Sequence, residues 1–239
     1  MHASVYGGFA GIAFDAYGTL FDVGEIEQHC ARVTDRSEEM ARLWRMKQLD
    51  YAVLRTVMDR YADWGQITSD SLDYATTALG VELDPASRRL LMRAWLELPA
   101  FPDVAPSLSR LAESDLRLLI LSNGTTQMLT PLIERNGLTD RFLAVLTSEA
   151  VQTFKPDPSI YGQVIDRLHA RINEILFVTA NGFDVAGSKA VGFTVCRIDR
   201  RGEPLDQLGF VPDLHARDLT ELADLLLGTS DEQRDLQGG

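Results

Sequence analysis

Five short apolar runs punctuate the chain, at residues 9–14 (FAGIAF), 116–121 (LRLLIL), 143–146 (LAVL), 175–178 (ILFV) and 193–198 (FTVCRI). Each is apolar on both faces and is followed by turn or polar residues. That pattern suits parallel strands covered on both sides better than half-exposed antiparallel ones. Helical spacing fills the gaps, near 104–113, 125–136, 158–170, 184–190 and 217–227. The alternation predicts an α/β fold, a doubly wound parallel sheet.

Residues 23–101 break that rhythm. Met40, Leu43 and Trp44, then Val53, Leu54, Val57, Met58 and Tyr61, recur at helical intervals, and no good strand lies among them. Ser37 before Glu38 and Glu39 predicts a helix start, with a capping hydroxyl and acids in the first turn. Pro99 and Pro102 bracket the return to strand–helix alternation. The interval therefore predicts a helical insert after the first strand, placed to cover the strand tips. Residues 228–239 (GTSDEQRDLQGG) predict a flexible tail, and no internal repeat is visible.

At 239 residues the chain fits one large domain, or a core with a smaller insert. Hydrophobic residues make up 45% and charged residues 24%, an ordinary globular composition. The net charge of −12, with no Lys/Arg cluster to offset it, argues against nucleic acid or an anionic membrane as partner. An anionic substrate would then depend on a few local cations. Cys30 and Cys196 are too few for a disulfide framework or a metal site, and His2, His29, His169 and His215 fall in no motif. No signal peptide and no run of about 20 apolar residues is visible, so a cytoplasmic location is expected.

Four polar segments follow the predicted strands: Asp15 to Asp22, Ser122-Asn123-Gly124, Lys155-Pro156, and Thr179-Ala180-Asn181-Gly182-Phe183-Asp184. Strand tips of a parallel sheet converge on one crevice, so two acids, a lysine and a hydroxyl–amide pair would share a site. Singly, each has a plainer reading. Asp15 and Asp184 suit turn or helix caps, Ser122-Asn123 a strand-to-helix turn, Lys155 a surface loop, and Arg45 a solvated helix face. Four such segments in this order favour a site.

DAYGTLFD, LWRMKQLDY, LSNG, FKPDPSIY, FVTANGFDVAGSKAVGF and RIDRRG resemble the motifs of the haloacid dehalogenase superfamily, specifically its L-2-haloacid dehalogenase branch. The resemblance implies a Rossmann-like core over 1–22 and 102–227, with a helical cap subdomain over 23–101. Phosphatases of that superfamily carry a second acid two residues after the nucleophile, and further acids in the last motif, to hold Mg²⁺. Here Tyr17 and Ala180 stand at those places, which disfavours metal-dependent phosphoryl transfer; no metal or cofactor is expected.

What the resemblance implies instead is hydrolysis of (S)-2-haloacids to (R)-2-hydroxy acids, Asp15 attacking C2 to form an ester that water then cleaves. On that pattern Thr19 orients Asp15, and Arg45 and Asn123 cradle the halide. Ser122 and the backbone N–H groups from Ala16 onward hold the substrate carboxylate. Lys155, Thr179, Asn181 and Asp184 organise ester hydrolysis, with Asp184 activating the water and Tyr161 supporting Lys155. Tyr17, Leu49 and Phe183 line the alkyl side. Partners are then a small 2-haloalkanoic acid, its halide product and a second copy in a homodimer. Thr179 replaces a common Ser, Met46 a Gln of some members and Phe183 a frequent Trp, changes that bear on substrate size. A phosphatase of the same fold and a non-catalytic carboxylate binder are the alternatives.

Overall fold

A computed structural model of the chain describes residues 8–228. Six strands form one parallel sheet in the order β3-β2-β1-β4-β5-β6: β1 Gly11–Phe14, β2 Arg117–Ser122, β3 Ala144–Thr147, β4 Ile175–Thr179, β5 Thr194–Ile198 and β6 Leu214–Ala216. Consecutive side chains of a strand face opposite sides. Ile12, Phe14, Ile120 and Val178 join one buried cluster, whereas Ala13, Leu119, Leu121 and Phe177 join another. Helices cover both faces, so the strands need no polar side, and their apolar runs carried the fold class.

Helices α1 (Ile26–Cys30), α2 (Ser37–Val57), α3 (Trp64–Leu79) and α4 (Pro85–Ala94) follow β1. Then α5 (Val104–Ala112), α6 (Thr126–Arg135), α7 (Pro158–Leu168), α8 (Gly182–Val191) and α9 (Leu219–Leu227) alternate with the remaining strands. Apolar faces of α5, α6 and α9 pack on one side of the sheet, and those of α7 and α8 on the other. Among the described residues no helix is long and apolar enough to cross a membrane. Cys30 and Cys196 are both free and buried.

Four expectations need correcting. Ser37 is the first residue of α2 and does not cap it; Arg36 precedes the helix, and no side chain caps its N-terminus. The last site helix starts at Gly182, not 184, so Asp184 sits inside its first turn and is no cap. Val53, Leu54 and Val57 are exposed on α2, as is Met58 at its C-cap, and Tyr61 lies beyond the helix. Strand β6 was not anticipated, since Leu214-His215-Ala216 is short and its middle residue faces solvent. The tail expected at 228–239 lies, from residue 229, outside the described residues.

Candidate active site

The strand order reverses direction between β1 and β4, and the crevice beyond these two tips is where such sheets bind ligands. Asp15 leaves the tip of β1 and is 6% exposed. The chain then folds into a tight turn, in which Thr19, Leu20 and Phe21 all donate their N–H to the Ala16 carbonyl. Gly18 has φ +86°, a left-handed conformation that a side chain would strain. The turn returns the Thr19 hydroxyl to Asp15, and it donates to Oδ2 over 2.9 Å. Asn181, just beyond β4, donates its Nδ2 to the same oxygen at 2.7 Å and to the Tyr17 carbonyl at 3.1 Å. The Ala180 N–H in turn donates to Thr19 Oγ1, and Asn181 N–H to Thr179 Oγ1.

Lys155 lies far from the surface loop its sequence context allows. It is 2% exposed, follows the loop after β3, and precedes a cis proline. Its Nζ donates to Asp15 Oδ1 at 2.9 Å and to Asp184 Oδ2 at 2.8 Å. Asn123 fixes this lysine from behind, its Oδ1 accepting the Lys155 N–H at 2.8 Å. Tyr161 on α7 donates to Asp184 Oδ1 at 2.7 Å, so it supports that acid and not Lys155 as expected. Gly187 makes room for this contact, because a Cβ there would collide with Tyr161 Oη and Pro156.

The charges follow from burial. Burial pushes the Asp184 carboxyl up, to about 6; Asp15 adds to the rise, while Lys155 and Tyr161 counter it. Burial pulls the Lys155 ammonium down, but the two carboxylates outweigh it and leave its pKa raised. Lys155 is therefore a fixed cation between two buried acids.

From α2, Arg45 reaches toward the same crevice. Its guanidinium carbon lies 5.9 and 5.8 Å from the ring centroids of Trp64 and Trp95, and Nη1 donates to Gln48 Oε1 at 3.4 Å. Burial lowers its pKa, and the Asp15 charge opposes that shift. This is not a solvated helix face. Trp64, Trp95 and Gln48 are site neighbours that the sequence did not disclose, since nothing in the helical interval sets them apart from its other packing residues. Arg200, within RIDRRG, is another: it donates to the Thr19 carbonyl at 2.9 Å and to Asp103 Oδ1 at 2.7 Å.

Ser122, at the tip of β2, accepts the Gly124 N–H on Oγ at 3.0 Å. Gly124 is required here, since a Cβ would lie 2.8 Å from the Tyr17 ring. The backbone N–H groups of Ala16 and Tyr17 meet no acceptor among the described residues. Tyr17 is buried edge-on against Trp95, with burial pushing its phenol above the ordinary range and its hydroxyl without a partner among the described residues. Two cavities flank the carboxylates. One of about 940 Å³ is reached by Arg45, Trp95, Ala180 and Asn181; the other, about 540 Å³, by Leu49, Asn123, Lys155 and Phe183. The Tyr17 ring lies against Gly124, next to Asn123 of the smaller cavity.

Such a set can hold an anion on its donors, attack with one carboxylate and accept a proton on the other. It does not fit Mg²⁺. The Lys155 ammonium engages both the Asp15 and the Asp184 carboxylates, and Ala180 offers no ligand atom on its side chain. Among the described residues no cluster of three His, Cys, Asp or Glu side chains is placed to hold a metal.

Comparison with known proteins agrees with this geometry. The family model for haloacid dehalogenase-like hydrolases matches residues 9–192. An (S)-2-haloacid dehalogenase of Pseudomonas sp. (strain YL) is 38% identical over 216 residues, 90% of this chain and 93% of that protein. One from Xanthobacter autotrophicus is 43% identical over 190 residues, 79% of this chain and 74% of that protein. The solved structure of L-2-haloacid dehalogenase from Xanthobacter autotrophicus with chloropropionic acid covalently bound superimposes with a TM-score of 0.86 at 35% identity, covering 93% of this chain and all of that one. By sequence and by fold, the chain belongs to the haloacid dehalogenase-like hydrolases.

Proposed function

We propose that this protein is an (S)-2-haloacid dehalogenase that needs no metal, hydrolysing its substrate through an ester on Asp15. The observation that carries the reading is the buried triad Asp15–Lys155–Asp184, with Tyr17 and Ala180 where metal-dependent relatives place acids. Attack at carbon by a carboxylate requires no general acid when the leaving group departs as an anion. It requires donors where the charge develops.

Asp15 Oδ2 already accepts two hydrogen bonds, from Thr19 and Asn181, whereas Oδ1 accepts one, from Lys155. The freer Oδ1 attacks C2 from the face opposite the halogen. The new C–O bond forms as the carbon–halogen bond breaks, and the centre inverts. Halide leaves toward Arg45 and the Asn123 amide, while the substrate carboxylate rests on Ser122 and the Ala16 and Tyr17 N–H groups. Oδ2 then becomes the ester carbonyl oxygen, and its two donors form an oxyanion hole for the second step.

Water attacks the ester carbonyl carbon and Asp184 takes its proton, passing it to the departing alkoxide. Asp15 returns as a carboxylate with release of one proton. Thr179 holds the Asn181 backbone, and Tyr161 and Lys155 hold Asp184. Helices α1–α4, within residues 23–101, act as the cap that brings in Arg45 and Leu49. The reading includes a cytoplasmic homodimer, whose assembly light scattering tests.

The decisive experiment is one turnover of (S)-2-chloropropionate by excess enzyme in heavy-oxygen water. Label is expected in Asp15 and not in the lactate; label in the lactate rules out the ester. A chelator should leave halide release unchanged, whereas a Mg²⁺-dependent phosphatase would lose its activity.

A further inference from the structure

The 540 Å³ cavity runs from Asn123 and Lys155 to solvent along a largely aliphatic wall. Its buried end is polar: Asn123, and Lys155 with its ammonium on Asp15. Leu49 and Phe183, half-buried, and Ala52, buried, continue it; Val53 and Leu54, 42% and 52% exposed, form the mouth. At about 30 Å³ for a water-sized group, the space far exceeds what the methyl group of a 2-halopropionate fills.

The geometry of α2 gives the cavity a direction. Arg45, Leu49, Ala52 and Val53 stand at positions i, i+4, i+7 and i+8 of the helix, and so share one face. Leu49 borders both cavities, the polar one holding Arg45 and the apolar one holding Lys155. From Arg45 to Val53 the helix advances about 12 Å, at 1.5 Å per residue. One turn further, Thr56 Oγ1 accepts the Phe154 N–H at 3.2 Å, which ties this face of α2 to the residue preceding Lys155. The face thus presents a cation for the departing halide and then a held apolar path leading outward.

We propose that this path is an alkyl channel, and that the preferred substrates are medium-chain 2-haloalkanoic acids with several methylenes beyond C2. The inference rests on the dehalogenase reading above and names its substrate class. Each buried methylene is expected to raise kcat/KM roughly twofold to fourfold, the range for partial to full removal from water. Asp50 and Asp206 also border the cavity, so a second carboxylate at the far end of the tail should be rejected.

The test measures halide release from (S)-2-bromopropionate, -hexanoate and -octanoate by wild type, Val53→Asp and Leu54→Asp. Both sites are exposed, so neither substitution empties the core. Wild type should favour octanoate over propionate at least tenfold in kcat/KM, chiefly through KM. Each variant should bring that ratio within threefold, while retaining the wild-type rate on propionate. Halide release with no gain in length, or a gain that survives both variants, overturns the channel and leaves the dehalogenase reading intact. Halide release from none of the acids overturns that reading, and the channel with it.

Discussion

Replacing Lys155 by Met offers the most stringent test of how the site holds its charges. Methionine keeps most of the side-chain length and removes the cation that lies 2.9 Å from Asp15 and 2.8 Å from Asp184. Breaking a buried pair by removing one partner typically costs about 3–5 kcal/mol, because the surviving charge is stranded. The protein escapes part of that cost by keeping a proton on Asp184, which makes the loss depend on pH. With the lysine present, burial holds the Asp184 carboxyl at about 6 against its ordinary 3.8. Without it, burial and the Asp15 charge act unopposed except for the Tyr161 hydroxyl, and the carboxyl rises further.

An acid whose folded pKa is raised stabilises the fold below its unfolded pKa, and that stability is lost as pH climbs through the folded value. Wild type completes this loss near pH 6, whereas the variant continues to lose about 1.4 kcal/mol per pH unit above it. The stability difference should therefore be smallest at pH 5 and widen by about 2–3 kcal/mol by pH 8. Urea unfolding of both proteins at pH 5, 6.5 and 8 measures it. A difference constant across that range would refute the picture of Lys155 as the charge that keeps Asp184 ionised.

Other perturbations separate the roles of individual groups. Tyr161→Phe removes the hydrogen bond that favours the Asp184 carboxylate, so the acid limb of the kcat–pH profile should move up by about one pH unit; an unmoved limb removes Asp184 from the rate-determining step. Thr19→Val takes one of the two donors from Asp15 Oδ2 and should slow ester hydrolysis more than attack; rapid-quench mass spectrometry would then find the ester accumulating, and free enzyme alone would count against the oxyanion hole. Arg45→Lys keeps the charge but loses the flat group between Trp64 and Trp95; a tenfold or larger fall in kcat and weaker inhibition by halide are expected, with a melting temperature close to wild type.

The strands were legible because they are buried on both faces. ILFV carries no polar position and LRLLIL only Arg117, the exposed first residue of β2; β2 and β4 lie within a residue or two of those runs. Strand β6 fails on the same logic, since an edge strand of three residues with His215 exposed has no apolar run to show. In α2 the spacing of Val53, Leu54, Val57 and Met58 marked a helix correctly but not its buried side, because periodicity records a face and not what covers it. Within the site, Asp15, Thr19, Lys155, Asn181 and Asp184 were legible as strand-tip residues, and the structure brings them into direct hydrogen-bonded contact. The partners of Arg45 were not, because Trp64 and Trp95 belong to other parts of the helical interval and meet it only once the helices pack. The destination of Tyr161 was hidden likewise: its reach to Asp184 depends on the gap left at Gly187 across two helices.

Four ionised side chains set the formal charge of the proposed site. Asp15 and Asp184 contribute −2, and Lys155 and Arg45 +2, so the crevice is neutral inside a chain of net charge −12. A haloacid anion therefore meets no net repulsion from these four groups. In the proposed attack, negative charge leaves Asp15 and moves onto the halogen, away from Lys155 and toward Arg45. A divalent ion on Asp15 would hold that charge in place and weaken the nucleophile. An ammonium on one oxygen fixes Asp15 while leaving a lone pair free, and in the proposed mechanism Arg45 receives the departing charge. Burial strengthens both interactions, since the low dielectric that makes each ion costly alone makes the balanced set selective for an anion that can move its charge.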